Sequence, residues 1–164
     1  MMKSLNSVSE NFDRSFFIYL IRCIIGFLIG YYLMMTFSSE DFFWALLSII
    51  LVIPPEGRNL APKLTRERVI SNFIGSLSGL TVFFINIDYV AKVILGIVVT
   101  TIICKLFKLM QVVRPAIVAL LIILIEHPGS IISPFERFVT VLIGCLIGLS
   151  VTLITSFIIR KTRI

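Results

Sequence analysis

A chain of 164 residues that is 58% hydrophobic, with a mean hydropathy of +1.06, is far too apolar for a soluble domain and is long enough for one domain. Apolar runs able to cross a hydrocarbon core recur along its whole length, which specifies an integral membrane protein with almost no soluble part. The formal charge of +6 does not argue for nucleic acid, because the cations sit in loops between apolar runs, where they orient a membrane protein.

Residues 1–14 form a short polar lead. The apolar run that follows is too long for a cleavable signal, contains Arg22 and lacks a small-x-small cleavage site. It predicts a first helix from about Ser15 to Thr36, with Arg22 two turns inside its start and Gly26 and Gly30 one turn apart. Ser38-Ser39-Glu40-Asp41 reads as a tight loop with Ser39 as N-cap. The second helix opens on Phe42-Phe43-Trp44, an aromatic belt by composition, and stops at Pro54-Pro55, since proline cannot continue the helical ladder. Its roughly 14 residues span about 21 Å, short of a ~30 Å hydrocarbon core, so its end needs covering by protein.

A basic loop with Arg58, Lys63, Arg66 and Arg68 comes next. The third helix is expected from about Arg66 to Ile85, with Thr65 as cap. Asn86-Ile87-Asp88 reads as a tight turn, with Asp88 capping a fourth helix that carries Lys92 and ends near Phe107. The fifth helix is built on Val112 to Ile125, with Arg114-Pro115 at its start and Pro128-Gly129 as its stop. Ser133-Pro134-Phe135-Glu136 has capping-box spacing with proline at the first helical position. It opens a sixth helix ending near Arg160, which leaves 161–164 as a tail.

Lys and Arg gather between helices two and three, around the loop between four and five, and after helix six. The alternate loops hold none except Arg137 at a helix edge. The positive-inside rule then puts both termini in the cytoplasm. The expected setting is the cytoplasmic (inner) membrane of a bacterium.

The chain also repeats itself. Glu67 to Leu80 reads ERVISNFIGSLSGL, and 69 positions later Glu136 to Leu149 reads ERFVTVLIGCLIGL. Arg22-xxx-Gly26 answers Lys92-xxx-Gly96 at a separation of 70, and Ala45-Leu46-Leu47 with Pro54 answers Ala119-Leu120-Leu121 with Pro128 at 74. Each unit holds three helices, about 15–86 and 87–160. Three is odd, so the second unit enters from the opposite side, giving an inverted 3+3 repeat as in many secondary transporters. The expected fold is therefore all-α, with six transmembrane helices and short Pro-terminated second and fifth helices. Such a pair of short elements points to a substrate site, because freed backbone groups beside Pro54, Pro55 and Pro128 must face protein or water. Two short helices tilted within the bundle remain the alternative.

Arg22 is the deepest cation, and a cation at mid-helix costs about 2.5–3.5 kcal/mol on insertion scales. A place on a pathway and snorkelling to the headgroups both account for it. Lys92 is shallower and favours snorkelling. Arg68 and Arg137 repeat at the mouths of helices three and six, each beside a glutamate that could balance it locally. With Arg114 these cations make a relay that would draw in an organic anion. Glu126 and His127 are the candidate proton carriers, with a solvated helix end as the plainer reading. The pairs Gly26/Gly30, Gly75/Gly79 and Gly144/Gly148 are candidate helix-packing positions. Cys23, Cys104 and Cys145 lie in separate apolar segments and read as packing residues. No catalytic or metal-binding motif is present, so neither an enzyme nor a metal or other cofactor is expected.

The aromatic-started short second helix ending at Pro54-Pro55, the basic loop, and Arg68 leading into IGSLSGL resemble the membrane half of the fusaric acid resistance family. That family includes the aromatic acid exporters and is distantly similar to plant aluminium-activated malate channels. The resemblance runs from Arg22 onward and implies efflux of weak or aromatic acids, or anion conduction. Many members carry a duplicated membrane unit, so a second copy of this chain is the expected partner, besides the bilayer and the small organic anion. A transporter or channel for organic anions is the first expectation. An accessory or assembly subunit without its own pathway is the alternative.

Overall fold

The computed structural model describes residues 14–37, 42–55, 58–126 and 133–161. They form six α-helices: α1 Arg14–Phe37, α2 Phe42–Val52, α3 Ala61–Phe83, α4 Tyr89–Leu106, α5 Val113–Glu126 and α6 Ser133–Lys161, with 3-10 turns at Arg58–Leu60 and Met110–Val112. No strand occurs among the described residues. Three helices, α1, α4 and α6, are long and apolar enough to cross a membrane, and α2 and α5 are shorter apolar helices. The chain is thus a multi-pass membrane protein.

Several boundaries differ from the sequence expectation. The third helix begins at Ala61, five residues early, because Pro62 falls in the first turn, where its missing N–H costs nothing. Thr65 is consequently inside the helix, and its hydroxyl donates to the Ala61 carbonyl at 2.8 Å instead of capping. Asp88 does stand at the start of α4, but its side chain makes no cap bond. Its backbone carbonyl accepts the Lys92 N–H at 2.9 Å. At the other end of α4, Lys108 takes φ 57°, the left-handed conformation that closes a helix, and Leu109 N–H reaches back to the Cys104 carbonyl at 2.7 Å. The second helix has 11 residues, about 16 Å, and stops two residues before a fully buried Pro54. Ser39, His127, Pro128 and Gly129 lie outside the described residues.

The glycines place the helices. A Cβ on Gly144 would stand 2.8 Å from Ala45 Cα, and one on Gly148 3.2 Å from Ile49 Cα, so α6 lies directly on the α2 backbone. A Cβ on Gly75 would meet the Ala116 carbonyl oxygen at 2.6 Å and Ala119 Cβ at 2.7 Å, so α3 lies on the α5 backbone there, while one on Gly79 would meet the Ile123 side chain at 3.2 Å. Gly26 and Gly30 bring α1 onto Leu46 and Ile49 of α2 and onto Ile53 just past its end, and Gly96 brings α4 onto Leu120 of α5. Without a hydrophobic drive between helices in lipid, such close backbone approach supplies the packing. The result is two trios, α1/α2/α6 and α3/α4/α5, joined where α3 meets α6.

Register along these seams fixes direction. Ala45 and Ile49 ascend with Gly144 and Gly148, so α2 and α6 are parallel. Gly75 and Gly79 ascend with Ala119 and Ile123, so α3 and α5 are parallel. Between the trios Phe73 meets Phe138 edge-on at 5.4 Å, while Arg68 lies within electrostatic range of Cys145. The lower number on α3 pairs with the higher on α6, so α3 and α6 are antiparallel.

Candidate functional site

Helices α3 and α6 carry most of the buried polar residues. Residues four apart share a helix face, and Arg68, Asn72 and Ser76 follow that spacing on α3. Asn72 is 1% exposed and Ser76 7%. Arg68 Nε, Asn72 Nδ2 and Ser76 Oγ are all buried with no hydrogen-bond partner among the described residues. Arg68 Nε and Asn72 Nδ2 can only donate, so the stripe calls for acceptors over about 12 Å of helix.

The behaviour of the other hydroxyls sharpens the contrast. Thr65, Thr100, Thr140 and Thr152 are buried, and each donates back to a carbonyl of its own helix, the usual resting place of a helical hydroxyl. Ser48, Ser76 and Ser78 are buried and do not. A buried polar atom left open in this way asks for a water, an ion or a ligand group.

Arg137 is 3% exposed. Its guanidinium carbon stands 3.8 Å from the centroid of the Trp44 ring, so Arg137 is covered by the first turn of α2. Glu136 is exposed, and Glu67 pairs with Lys63 at 3.9 Å. Arg22, 7% exposed, donates through Nε to Thr155 Oγ1 at 2.9 Å and through Nη2 to Ser156 Oγ at 2.8 Å. Those hydroxyls in turn donate to the Val151 and Thr152 carbonyls. Arg22 is therefore anchored to α6 and does not reach alone towards headgroups.

Three arginines are thus spread along α6: Arg22 bonds Thr155 and Ser156, Arg68 of α3 lies within electrostatic range of Cys145, and Arg137 belongs to the helix itself. Eighteen residues separate positions 137 and 155, five whole turns and about 27 Å at 1.5 Å per residue, close to the ~30 Å of a hydrocarbon core. Lys92 is half-buried in the first turn of α4 and Arg114 is exposed in the first turn of α5. Neither belongs to this line. Pro54 is buried and Pro55 exposed beyond the end of α2, and Glu126 closes α5.

Two recesses flank α3. One, of about 140 Å³, is lined by Phe73, Ser76, Leu80, Pro134 and Phe138 among others. The other, of about 300 Å³, has Lys63, Arg66, Glu67 and Gln111 in its wall, and at 100° per residue it lies on the opposite side of α3 from Arg68.

Sequence reasoning on charges alone overlooks Asn72, Ser48, Ser76, Ser78 and the Trp44–Arg137 contact. The Arg68, Asn72, Ser76 spacing is a signal that reveals the first part. No curated protein and no solved structure matches the chain. Residues 20–151 match the family described as fusaric acid resistance protein-like, a family of membrane transport proteins, and the chain belongs to it.

Proposed function

We propose that the protein exports organic anions, weak or aromatic acids, from a bacterial cell through a pathway along the α3/α6 seam. The observation that carries this reading is the line of Arg22, Arg68 and Arg137 along α6, with the donor stripe of Arg68, Asn72 and Ser76 between the two trios. A carboxylate entering the seam would supply the acceptors that the stripe lacks, and a guanidinium presents a fork that suits it. Lys92 and Arg114 act at the mouths, where they raise the local concentration of anions. Glu126 and His127 are left to carry a proton if export is coupled to one.

The same reading makes the fold an inverted 3+3 repeat with six crossings, both termini cytoplasmic, and α2 and α5 as its short Pro-ended elements. The glycine contacts support it. Gly144 on Ala45 and Gly148 on Ile49 become Gly75 on Ala119 and Gly79 on Ile123 when α6 is shifted by 69 and α2 by 74, the separations found in the sequence alone. In both cases the third helix of one unit lies on the second helix of the other.

The working unit is a homo-oligomer, most simply a two-fold dimer with its axis along the membrane normal. A helix of 11 residues leaves little material to enclose a polar route, and a second copy doubles it. The test is carboxylate flux from the purified chain in liposomes with no other protein present. Flux there separates a transporter from an accessory subunit, and its absence in folded protein removes the reading.

A further inference from the structure

The two ends of the α3/α6 seam are built on the same scaffold but are closed differently. At one end Arg137 of α6 is covered by Trp44 of α2, 3.8 Å from guanidinium carbon to ring centroid, and is 3% exposed. At the other end the equivalent arginine is Arg68 of α3, and the same separations put position 118 of α5 where Trp44 stands. That residue is Val118, 51% exposed. Valine has no π face, and Arg68 is half-buried where Arg137 is 3% exposed. The Gly144–Ala45 and Gly75–Ala119 contacts keep both helix pairs in close approach. The two ends differ in the cap, and the pairs differ also at the second glycine, where Gly148 meets the Ile49 backbone and Gly79 the Ile123 and Leu120 side chains.

We propose that Trp44 is the latch of the outer mouth, and that its replacement by valine at the related place leaves the inner mouth without one. The proposal rests on the transport reading above. A guanidinium lying on an indole face is held by the ring quadrupole, most strongly where water is excluded. An anion approaching Arg137 competes for that same cation, so its arrival and the release of Trp44 are one event. With no ring over Arg68 among the described residues, the resting protein leaves its half-buried inner cation more open than its outer one, which is 3% exposed. A carboxylate that has moved from Arg68 along Asn72 and Ser76 opens the seal by taking Arg137 from the ring. Trp44 is thus a positioning residue that acts through Arg137, and the asymmetry favours release to the outside only when an anion is in the seam.

The test uses the full-length chain in sealed liposomes with benzoate as the probe. Trp44→Leu is expected to raise benzoate flux about two- to thirty-fold, the range open to the loss of one cation–π contact. Val118→Trp, placed at an exposed position, is expected to lower it by a similar factor by capping Arg68. Trp44 is the chain's one tryptophan, so the wild type also reports on itself: saturating benzoate should increase quenching of its fluorescence by acrylamide. Trp44→Leu protein that stays folded with unchanged or reduced flux overturns the latch. So do a Val118→Trp variant with wild-type flux and benzoate flux with no change in quenching. Wild-type protein with no benzoate flux at all brings down the transport reading itself, and the latch with it.

Discussion

Arg22 Nε donates to Thr155 Oγ1 at 2.9 Å, tying the first helix to the last across 133 residues of chain. The bond matters because it reinforces the contact of α1 with α6, beside the packing of α1 on α2 where Gly26 and Gly30 meet Ile49 and Leu46. Ser156 adds the second bond, at 2.8 Å. Hydrogen bonds to a charged group contribute about 1.5–3 kcal/mol each when they replace nothing better.

Arg22→Gln is expected to lower benzoate flux about tenfold, a loss of roughly 1.4 kcal/mol in the passage of the anion, while inserted and assembled protein remains. Arg22→Lys should be milder in flux, because the charge survives, yet it should lower the unfolding midpoint in detergent, because an ammonium cannot bond both hydroxyls in the guanidinium geometry. Parallel flux and thermal unfolding measurements check both. Unchanged flux in Arg22→Gln would reduce Arg22 to a strap between α1 and α6.

The glycine seams predict a graded series. Gly144→Ala sets a methyl 2.8 Å from Ala45 Cα, and Gly75→Ala sets one 2.7 Å from Ala119 Cβ and 2.6 Å from the Ala116 carbonyl oxygen, all groups that cannot swing aside. Each should destabilise the fold by about 1–3 kcal/mol, the usual range for an overpacked core. Gly79→Ala meets side chains alone, Ile123 Cγ2 at 3.2 Å and Leu120 Cδ1 at 3.7 Å, and should be the mildest. Unfolding in mixed detergent orders the three, and equal effects would contradict the packing.

The topology prediction follows from the alternation of α1 to α6. Asn59, before α3, and Asn86, after it, are both exposed and fall on opposite sides of the membrane in the proposed arrangement, Asn59 inside. Single cysteines at each site, in a background with Cys23, Cys104 and Cys145 replaced, should label from opposite faces. Labelling of both from the periplasmic face contradicts the assignment.

The dimer prediction is independent of the glycines, since all six candidate packing glycines face neighbouring helices of the same chain. Native mass spectrometry in mild detergent is expected to give a two-chain species, and cross-linking in membranes should agree. A monomer that carries full flux contradicts it.

Much of the helix order is legible in the sequence, because prolines, glycines and loop charges punctuate long apolar runs. The Gly75/Gly79 and Gly144/Gly148 pairs mark themselves by their spacing. The start of α3 is misplaced because the cluster Lys63 to Arg68 looks like a solvated loop, whereas Pro62 in the first turn and an i,i+4 pair of Lys63 with Glu67 suit a helix. The site is harder to read. A serine in a helix normally spends its hydroxyl on its own backbone, and nothing in the residue name says that Ser76 and Ser48 are left open while Thr140 and Thr152 are not. Trp44 looks like one more ring in an aromatic belt until the fold brings α6 beside it. The partners of Arg22, Thr155 and Ser156, come from the far end of the chain, where no local pattern announces them.

The proposed route for organic anions is the line of guanidinium groups along α6. The direct measurement is uptake of radiolabelled benzoate by liposomes holding only the purified chain, under an inside-positive potential, with wild type beside Arg68→Gln and Arg137→Gln. Uptake is expected to exceed that of empty liposomes, to be faster with the potential than without it, and to fall about tenfold or more in each variant. Uptake no greater than in empty liposomes, or uptake that both variants leave intact, would contradict it.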